Sequence, residues 1–367
     1  MASIQKRPNG KYLVRWRNEE NKERSKQFEL KRDANRYRAK IESSMATGSY
    51  VDPKAGNVTL RQFYDEWQQR QLWTTGTARG MEFAIRQVPF ANNSLNKIQR
   101  SHIESWVKQM ERDYAVNTVH TRFRNIKTVL SAAVADGLII KNPSENIRLP
   151  RKQNLVSSMR IPSPEQVSRA LEGAEDWYQP YIALCAFAGL RRGEAAAVRL
   201  EDIDFLGRTV HVAQQIQKEA GLEPEIRAPK YSSDRIVYVP DELIFMLSEH
   251  VKNIGTYTKN KYLFPGHQGW PLNPRQAEYR WQKTLENSEL SDVTLHDLRH
   301  FFASGLIAAG CDVVTVQRAM GHKSPSVTLN TYSHLWPDAA DRTRVAAGGL
   351  MTSVFNASAD QVRTETT

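Results

Sequence analysis

Apolar and polar residues alternate along the N-terminal part of the chain, on both sides of an Asn9-Gly10 pair. A period of two is typical of a strand with one buried face, and Asn-Gly favours a tight hairpin turn. Segment 22–30 has the character of a third strand, and segment 31–45 has the spacing of a helix. The pattern predicts a small sheet with one helix over residues 1–50. Its core would come from Tyr12, Val14, Trp16 and Phe28.

The apolar positions in segment 59–136 recur every three to four residues, which is the period of amphipathic helices. Thr59 is placed to cap the first helix, and Ser101 with Glu104 has the spacing of a capping box before a later one. The pattern predicts a helical domain over residues 58–145. The apolar stripe of its last long helix would be Val119, Phe123, Ile126, Leu130 and Val134.

The rest of the chain alternates helices with one short β region, beginning at Ser163, which is placed to cap a helix. The β region consists of two strand-like segments, 208–215 and 234–241, with a polar turn between them. Segments 50–57 and 142–158 contain prolines and lack periodicity, so they are predicted to be linkers.

These patterns predict a multidomain chain that is mainly α with a small β-sheet in its third domain, an α+β class. The predicted parts are a sheet-and-helix domain at 1–50, a helical domain at 58–145, a third domain at 160–345 and a C-terminal tail at 346–367. In the tail, a flexible Gly348-Gly349 joint would precede a short apolar helical face. That face would be Leu350, Met351, Val354 and Phe355.

The chain is basic, with 51 Lys and Arg against 40 Asp and Glu and a formal net charge of +11. Residues 1–50 hold 13 of the basic residues against 6 acidic ones. Such a balance favours a polyanion partner, nucleic acid first and an acidic membrane surface second. We therefore expect the N-terminal sheet to bind DNA, with a solvated basic extension as the alternative.

Cysteine usage and hydropathy exclude several classes of protein. Cys185 and Cys311 lie far apart in apolar surroundings, which indicates neither a disulfide framework nor a metal site. The N-terminus has no apolar stretch of the kind found in a signal peptide, and no run of about 18 apolar residues is present. The sequence predicts a protein of a reducing cytoplasm.

Two basic residues lie where they could contact a phosphodiester. Arg191 follows Gly189 at the junction of two helices, and Glu194, one turn later, could hold it by a charge-assisted hydrogen bond. Lys230 lies in the polar connection before the second strand. A surface ion pair and an ordinary exposed lysine are the alternatives for these residues.

Two further segments hold histidine, arginine and tyrosine. His296 and Arg299 are three residues apart, so one face of a helix would present both to a phosphate. Gly321 ends a helix directly before His322, and Tyr332 is the only tyrosine in the last part of the chain. A core histidine and a packing tyrosine are the alternatives. The buried side of the His296 helix would be Phe301, Phe302, Leu306 and Ile307.

In this order and at these intervals, the segments GLRRGE, HDLRH, MGHKS and NTYSH resemble the active site of the tyrosine recombinase (phage integrase) family. The resemblance implies that the third domain is catalytic, that the helical domain binds the core DNA site and that the first domain binds separate arm sites. The implied catalytic residues are Arg191, Lys230, His296, Arg299, His322 and Tyr332, with Glu194 as an accessory residue.

The chemistry that the resemblance implies is site-specific DNA recombination without a metal or any other cofactor. Tyr332 would attack phosphorus and form a 3′-phosphotyrosine, while Arg191 and Arg299 neutralise the non-bridging oxygens. His296 would be the general base and Lys230 the general acid. His322 would donate a hydrogen bond to the phosphate.

The implied partners are double-stranded DNA attachment sites and further copies of the chain in a homotetramer on DNA. A DNA-bending host factor and an excisionase are further candidates, and the location would be the cytoplasm of a bacterial host. A chromosome-dimer resolvase, a type IB topoisomerase and a catalytically silent DNA-binding protein are alternatives to an integrase of a phage or other mobile element. Candidate DNA contacts are Arg15, Arg17, Lys26, Arg122, Arg124 and Lys127.

Overall fold

The computed structural model describes residues 2–18, 21–48, 50–52, 54–151, 159–218, 221–229, 233–336 and 343–353. Helices dominate and the strands form only small sheets, which confirms the predicted fold class. The chain divides into two compact units, Met1–Lys152 and Gln153–Thr367. Among the described residues, no helix has the length and apolar character that crossing a bilayer requires.

The first unit begins with an antiparallel three-stranded sheet, as the alternation predicts. Its strands pair in the order β1-β2-β3, and one helix, α1, packs against it. The buried core beneath the helix includes Val14, Trp16, Ala34 and Ile41. The elements are β1 (Ser3–Lys6), β2 (Tyr12–Arg17), β3 (Glu23–Phe28) and α1 (Lys31–Ala46).

The predicted linker at 50–57 is held on the N-terminal sheet over its first residues. Trp16 donates a hydrogen bond from Nε1 to the Tyr50 hydroxyl over 2.6 Å. Arg24 pairs with Asp52 at 2.6 Å, and both side chains are largely buried. A short 3-10 helix, Ala55–Asn57, follows. The linker prediction was therefore wrong for Tyr50 and Asp52, because an aromatic and a carboxylate find partners on the sheet.

Four helices form the rest of the first unit around a second apolar core, which is separate from the core under the N-terminal sheet. Thr59 caps the first of them in a reciprocal capping box with Gln62, as its position predicts. The boundaries of the predicted domains stay a prediction. The helices are α2 (Leu60–Trp67), α3 (Thr75–Gln87), α4 (Arg100–Asp113) and α5 (Val116–Ala135).

The capping box predicted at Ser101 and Glu104 was wrong. Helix α4 begins earlier, at Arg100, and the Gln99 backbone N–H donates to Nδ1 of His102 over 3.1 Å. Glu104 instead pairs with Arg100 at 2.7 Å, four residues earlier on the helix. The cap is formed by Gln99 and His102, and Glu104 takes no part in it.

The second unit has eight described helices of four residues or more, up to residue 332, and small sheets between them. Glycine or proline lies at the ends of several, and Ser163 caps the first with Gln166 as predicted. The helices are α6 (Pro164–Glu172), α7 (Gln179–Phe187), α8 (Arg192–Ala195), α9 (Asp241–Asn253), α10 (Pro274–Asn287), α11 (Leu295–Ala308), α12 (Val313–Met320) and α13 (Pro325–Tyr332).

The predicted β region is present, but the connection between its two strands is more than a polar turn. The two strand-like segments pair antiparallel, with Val210 opposite Val237. The connection between them contains a further two-stranded hairpin, which packs against α8. The strands are β4 (Ile203–Asp204), β5 (Thr209–Val212), β6 (Gln215–Gln217), β7 (Glu225–Arg227) and β8 (Arg235–Tyr238).

The buried face of α11 differs from the predicted one. Ile307 is buried, but Phe301, Phe302 and Leu306 are only partly buried. The buried stripe is Leu295, Leu298, Arg299, Ala303 and Ile307. A charged residue therefore lies on the core face of the helix, which a pattern of apolar residues cannot show.

The tail also departs from its prediction. Residues 343–353 are helical, so Gly348 and Gly349 lie inside a helix and not at a break. Leu350 and Met351 are exposed. Val354 and Phe355 lie outside the described residues.

Candidate active site

Arg191 owes its position to the glycine two residues before it. Helix α7 ends at Phe187, and Gly189 adopts a φ of +62°, in the left-handed region that favours glycine. A Cβ at Gly189 would also collide with the ring of Phe302. The turn buries Leu190 and places Arg191 at the N-cap position of α8.

A buried carboxylate holds two arginines at this junction. Arg191 Nη1 lies 2.6 Å from Glu194 Oε1, as the three-residue spacing predicts, and Arg235 Nη2 lies 2.9 Å from Oε2. The Glu194 side chain has no exposed surface. Burial alone would raise the pKa of Glu194, but the charges of Arg235 and Arg191 outweigh it and hold that pKa below its usual range.

Arg235 also ties the strand β8 to the end of α12. Its Nε donates to the Ala319 carbonyl over 2.9 Å. Arg191 donates from Nη2 to the Gly321 carbonyl over 3.1 Å. Gly321 has a φ of +60°, and a Cβ there would meet the Arg235 guanidinium. The segment that leads into His322 is thus fixed by the same two arginines that Glu194 holds.

Arg299 is almost fully buried, at 2% exposure. Its guanidinium donates to the carbonyl of Gly189, two residues after α7, and to that of Met320, the last residue of α12. Burial lowers the pKa of Arg299, and the nearby charge of Arg191 acts in the same direction. The guanidinium groups of Arg299 and Arg191 therefore lie close enough to repel each other, and a bound anion would relieve that repulsion.

Tyr332, the last residue of α13, is 1% exposed. Its hydroxyl lies 2.7 Å from Nδ1 of His300. Burial raises the pKa of Tyr332 to about 12, although the charges of Arg299 and Arg191 act in the opposite direction. The hydroxyl is therefore protonated at neutral pH and must lose its proton before it can act as a nucleophile.

His322 stacks beside Tyr332, with ring centroids 6.4 Å apart. Its Nδ1 lies 2.8 Å from the hydroxyl of the buried Thr328. Burial lowers the pKa of His322 to about 3, with the charges of Arg299 and Arg191 adding to the effect. The ring is neutral at physiological pH, and a single ring nitrogen carries its proton.

His296 lies at the edge of a cavity of about 700 Å³ that Arg191 also lines. Desolvation by the surrounding protein and the neighbouring His300 lower the pKa of His296 to about 4. The two imidazole rings are 4.8 Å apart and nearly perpendicular. His296 is thus a neutral imidazole at the mouth of the site, in a residue that is exposed overall.

The structure brings five of the six predicted catalytic residues together. Lys230 lies outside the described residues. The five are Arg191, His296, Arg299, His322 and Tyr332, and Glu194 lies behind them.

The sequence reasoning missed His300 and Arg235. His300 had a usable signal, because it follows His296 by four residues and so lies on the same helix face. Arg235 had none, because its partners Glu194 and Ala319 are distant in the sequence.

The candidate DNA contacts of the sheet do not all lie on one face. Arg15 and Arg17 alternate with Val14 and Trp16, so they lie on the side of the sheet away from α1. Lys26 pairs with Val14, on the side that α1 covers, and its Nζ lies 4.8 Å from the centre of the Tyr37 ring. Strand register therefore places Lys26 on the other face of the sheet from the two arginines, and its role as a DNA contact stays a prediction.

The candidate contacts on α5 differ in their surroundings. The Arg122 guanidinium lies 3.7 Å from the centre of the Tyr114 ring and 4.8 Å from that of Phe83. Arg124 and Lys127 are exposed. Arg122 is therefore held by aromatic rings, whereas the other two extend into solvent.

Comparison with known proteins gives consistent similarities. Residues 162–338 match the model of the phage integrase family. A tyrosine recombinase XerC-like protein of Caldanaerobacter subterraneus is 27% identical over 238 residues, which cover 58% of this chain and 61% of that protein. The transposase from transposon Tn916 of Enterococcus faecalis is 24% identical over 313 residues, or 79% of this chain and 77% of the relative.

Among solved structures, the Tn1549 transposon integrase in complex with transposon right end DNA superposes with a TM-score of 0.66. It is 21% identical, and the match covers 79% of this chain and all of that one. This likeness establishes the fold, and the matched family model covers the segment that holds all the residues of the site. Residues 162–338 therefore form a domain of the phage integrase family, and tyrosine recombinases are among the relatives of the chain.

Proposed function

We propose that the protein is a site-specific recombinase that breaks and rejoins DNA through a 3′-phosphotyrosine at Tyr332, and that it integrates and excises a mobile element at attachment sites. The observation that carries the proposal is the cluster around one buried tyrosine hydroxyl. His300 contacts the Tyr332 hydroxyl, and His322 stacks beside the Tyr332 ring. His296 lies against His300. The guanidinium groups of Arg191 and Arg299 bind the two backbone carbonyls directly before His322.

The arginines would perform the electrostatic part of the reaction. A phosphodiester resists attack because its oxygens repel a nucleophile and gain charge in the transition state. Arg191 and Arg299 are already oriented by Glu194 and by backbone carbonyls, so they need little reorganisation to receive that charge. In this role they replace the divalent ions of other phosphoryl-transfer sites.

The remaining residues would handle hydrogen bonds and the leaving group. Nδ1 of His322 is held by the Thr328 hydroxyl, and we propose that the hydroxyl donates, so that Nε2–H of His322 can donate to a non-bridging oxygen. Lys230 is proposed as the acid that protonates the departing 5′ oxygen. Because the phosphotyrosine conserves the energy of the broken bond, rejoining needs no nucleotide.

The choice of an integrase over the alternatives rests on the N-terminal sheet and on the intact site. A chromosome-dimer resolvase would not need a separate arm-binding domain, and a silent DNA-binding protein would not need the cluster around Tyr332. The Tn916 relative, a transposase by name, is consistent with a mobile element. We propose double-stranded attachment sites and a homotetramer on DNA as partners. A host bending factor and an excisionase stay predictions.

Purified protein is expected to recombine two attachment sites on one supercoiled plasmid in excess EDTA and without nucleotide. The sites are the two ends of the element that carries the gene. Since two arginines supply the positive charge, EDTA should change the yield by less than about twofold. The measurement is the amount of excised circle on a gel, with the new junction sequenced.

A plasmid with a single attachment site is the matched control. It should yield no recombinant circle, whereas efficient relaxation of that plasmid would favour the topoisomerase alternative. Activity that disappears in EDTA and returns with magnesium would contradict the proposed mechanism.

Replacing Arg15 and Arg17 together by glutamine is expected to weaken arm-site binding in a salt-dependent way. Both side chains are on the sheet face away from α1. If each contacts one phosphate, the slope of log affinity against log salt should fall by about 1.8, or about 0.9 per contact. The measurement is a fluorescence anisotropy titration of arm-site DNA at several salt concentrations. K26Q, on the other face, is the control, and an unchanged slope in the double variant would assign the sheet face no role in binding.

A further inference from the structure

We propose that His300 is a catalytic residue of this recombinase, whose Nδ1 takes the proton of the Tyr332 hydroxyl during attack on phosphorus and returns it when the strand is rejoined. The proposal rests on the proposed function and refines it, because it names the proton acceptor. It replaces the expectation that His296 is the general base.

His300 is positioned to contact the hydroxyl oxygen of Tyr332. It lies one turn after His296 on α11, and its ring is partly buried between His296 and Tyr332. Its Nδ1 is 2.7 Å from the Tyr332 oxygen, which is the distance of a direct hydrogen bond. Because Tyr332 is 1% exposed, solvent has little access to the hydroxyl, and a side chain must receive the proton.

His296 is placed for a different contact. Its ring lies at the rim of the cavity that Arg191 lines and 4.8 Å from the ring of His300, which in turn lies 5.6 Å from that of Tyr332. A phosphate that contacts Arg191 in that cavity would meet His296 and not His300. The two histidines therefore have separate tasks, with His296 facing the phosphate and His300 facing the nucleophile.

The proton and electron pairs balance without any further reactant. In the attack, the O–H bond of Tyr332 breaks, its proton moves to Nδ1 of His300, and the oxygen forms a bond to phosphorus. The bond from phosphorus to the 5′ oxygen breaks, and that oxygen leaves with a proton from the general acid, the role proposed for Lys230. In rejoining, each transfer runs backwards, and the His300 cation gives its proton to the departing tyrosinate.

The surroundings of His300 set its protonation before the reaction. Burial lowers its pKa, Asp297 opposes this, and the charge of Arg299 adds to it. The titratable and charged groups that face it are His296, Asp297 and Arg299 on α11, and His322 and Tyr332 beyond α12. A lowered pKa keeps the ring neutral at pH 7, and the ring gains a proton only below the ordinary histidine value of 6.5. Cleavage should therefore be level from neutral pH upward and decline only in more acidic solution.

The decisive experiment is the pH profile of H300N. Single-turnover cleavage of a nicked suicide core site is measured at saturating protein from about pH 6 to about pH 10. Asparagine keeps a polar atom near the position of Nδ1 but cannot take a proton. We expect covalent complex to form about 100-fold more slowly at neutral pH, with a rate that rises about tenfold per pH unit because hydroxide must remove the proton. Affinity for the core site in a gel-shift assay should not change.

Two histidine variants provide controls. H267N changes an exposed histidine outside the four motifs of the site and should behave as wild type. H296N should slow cleavage by a similar factor at every pH. The proposal is overturned if H300N keeps a level profile at any rate, or if H296N shows the hydroxide dependence instead.

A second measurement does not depend on catalysis. In protein labelled with ¹⁵N-histidine, His300 should carry its proton on Nε2, with a hydrogen-bonded Nδ1 whose resonance moves in Y332F. Y279F, at an exposed tyrosine, should leave that resonance unchanged. A proton on Nδ1 in the wild type would overturn the proposal. If Y332F still formed covalent complex, the proposed function would fail instead, which separates the two failures.

Discussion

Y332F is expected to bind its DNA normally and to form no covalent complex. The substitution removes only the oxygen that attacks phosphorus, so we expect a loss of at least about 10³-fold in the rate of cleavage, on the scale of losing an essential catalytic group. The ring is 1% exposed and packs with Ala303, Ile307, Val316 and Met320, and phenylalanine keeps that packing. Loss of the hydrogen bond to His300 should lower the free energy of unfolding by only about 1 kcal/mol.

The assay is a nicked suicide attachment site, with covalent complex resolved on a denaturing gel. Y279F is the matched control, because Tyr279 is exposed and lies on α10, away from the cluster. It should cleave as wild type does. A covalent band from Y332F would show that another residue is the nucleophile, and reduced binding or a melting temperature far below that of wild type would make Tyr332 a packing residue as well.

The N-terminal sheet was predictable because its signals are local. Successive residues from Val14 to Arg17 on β2 alternate between core and surface, and Gly10 adopts the positive φ of 79° that the hairpin turn requires. The face of Lys26 was not predictable in the same way. It depends on the register of β3 against β2, which the connection between the strands sets and periodicity alone does not.

The residues of the candidate site were predictable from the sequence, but their arrangement in space was not. Motif order identified His296 and Tyr332, yet it could not say which histidine touches the hydroxyl, because that depends on how α13 approaches α11. Arg235 is 41 residues from Glu194 and 84 from Ala319 in sequence, and no local pattern reports contacts at such separations. The buried face of α11 was misjudged for the same reason, since Arg299 is buried by its partners and not by its own hydropathy.

The charges of this cluster would suit it to bind an anion. Arg191, Arg235 and Arg299 lie together, and Glu194 is the acidic residue that pairs with the first two. The described part of the site thus has an excess of positive charge in a region of low exposure, where Coulomb interactions are stronger than in water. A phosphodiester would supply negative charge to balance this excess. In its absence, Glu194 holds Arg191 and Arg235 in place.

E194Q is therefore expected to cost both stability and activity. The change removes the carboxylate charge but keeps the shape, which leaves Arg191 and Arg235 without the counter-charge they share. Removing one partner of a buried ion pair typically costs about 3–5 kcal/mol in the free energy of unfolding, and we expect a loss on that scale. We also expect cleavage to slow by about 100-fold, as for loss of an oriented oxyanion donor, because Arg191 is no longer held towards the phosphate.

The dependence of this loss on pH gives the sharpest test. Burial raises the pKa of Glu194, but Arg235 and Arg191 more than offset it, so the pKa in the folded protein lies below its ordinary value of 4.5. The stabilisation is therefore complete above that value and disappears as the pH falls through the lowered pKa. Urea unfolding at several pH values should show a constant difference in the free energy of unfolding between wild type and E194Q near neutral pH. That difference should shrink in strong acid.

E249Q, in a surface pair with Lys252, is the control and should change the free energy of unfolding by less than about 1 kcal/mol. A variant E194Q as stable as E249Q at neutral pH would mean that the two arginines do not depend on this carboxylate.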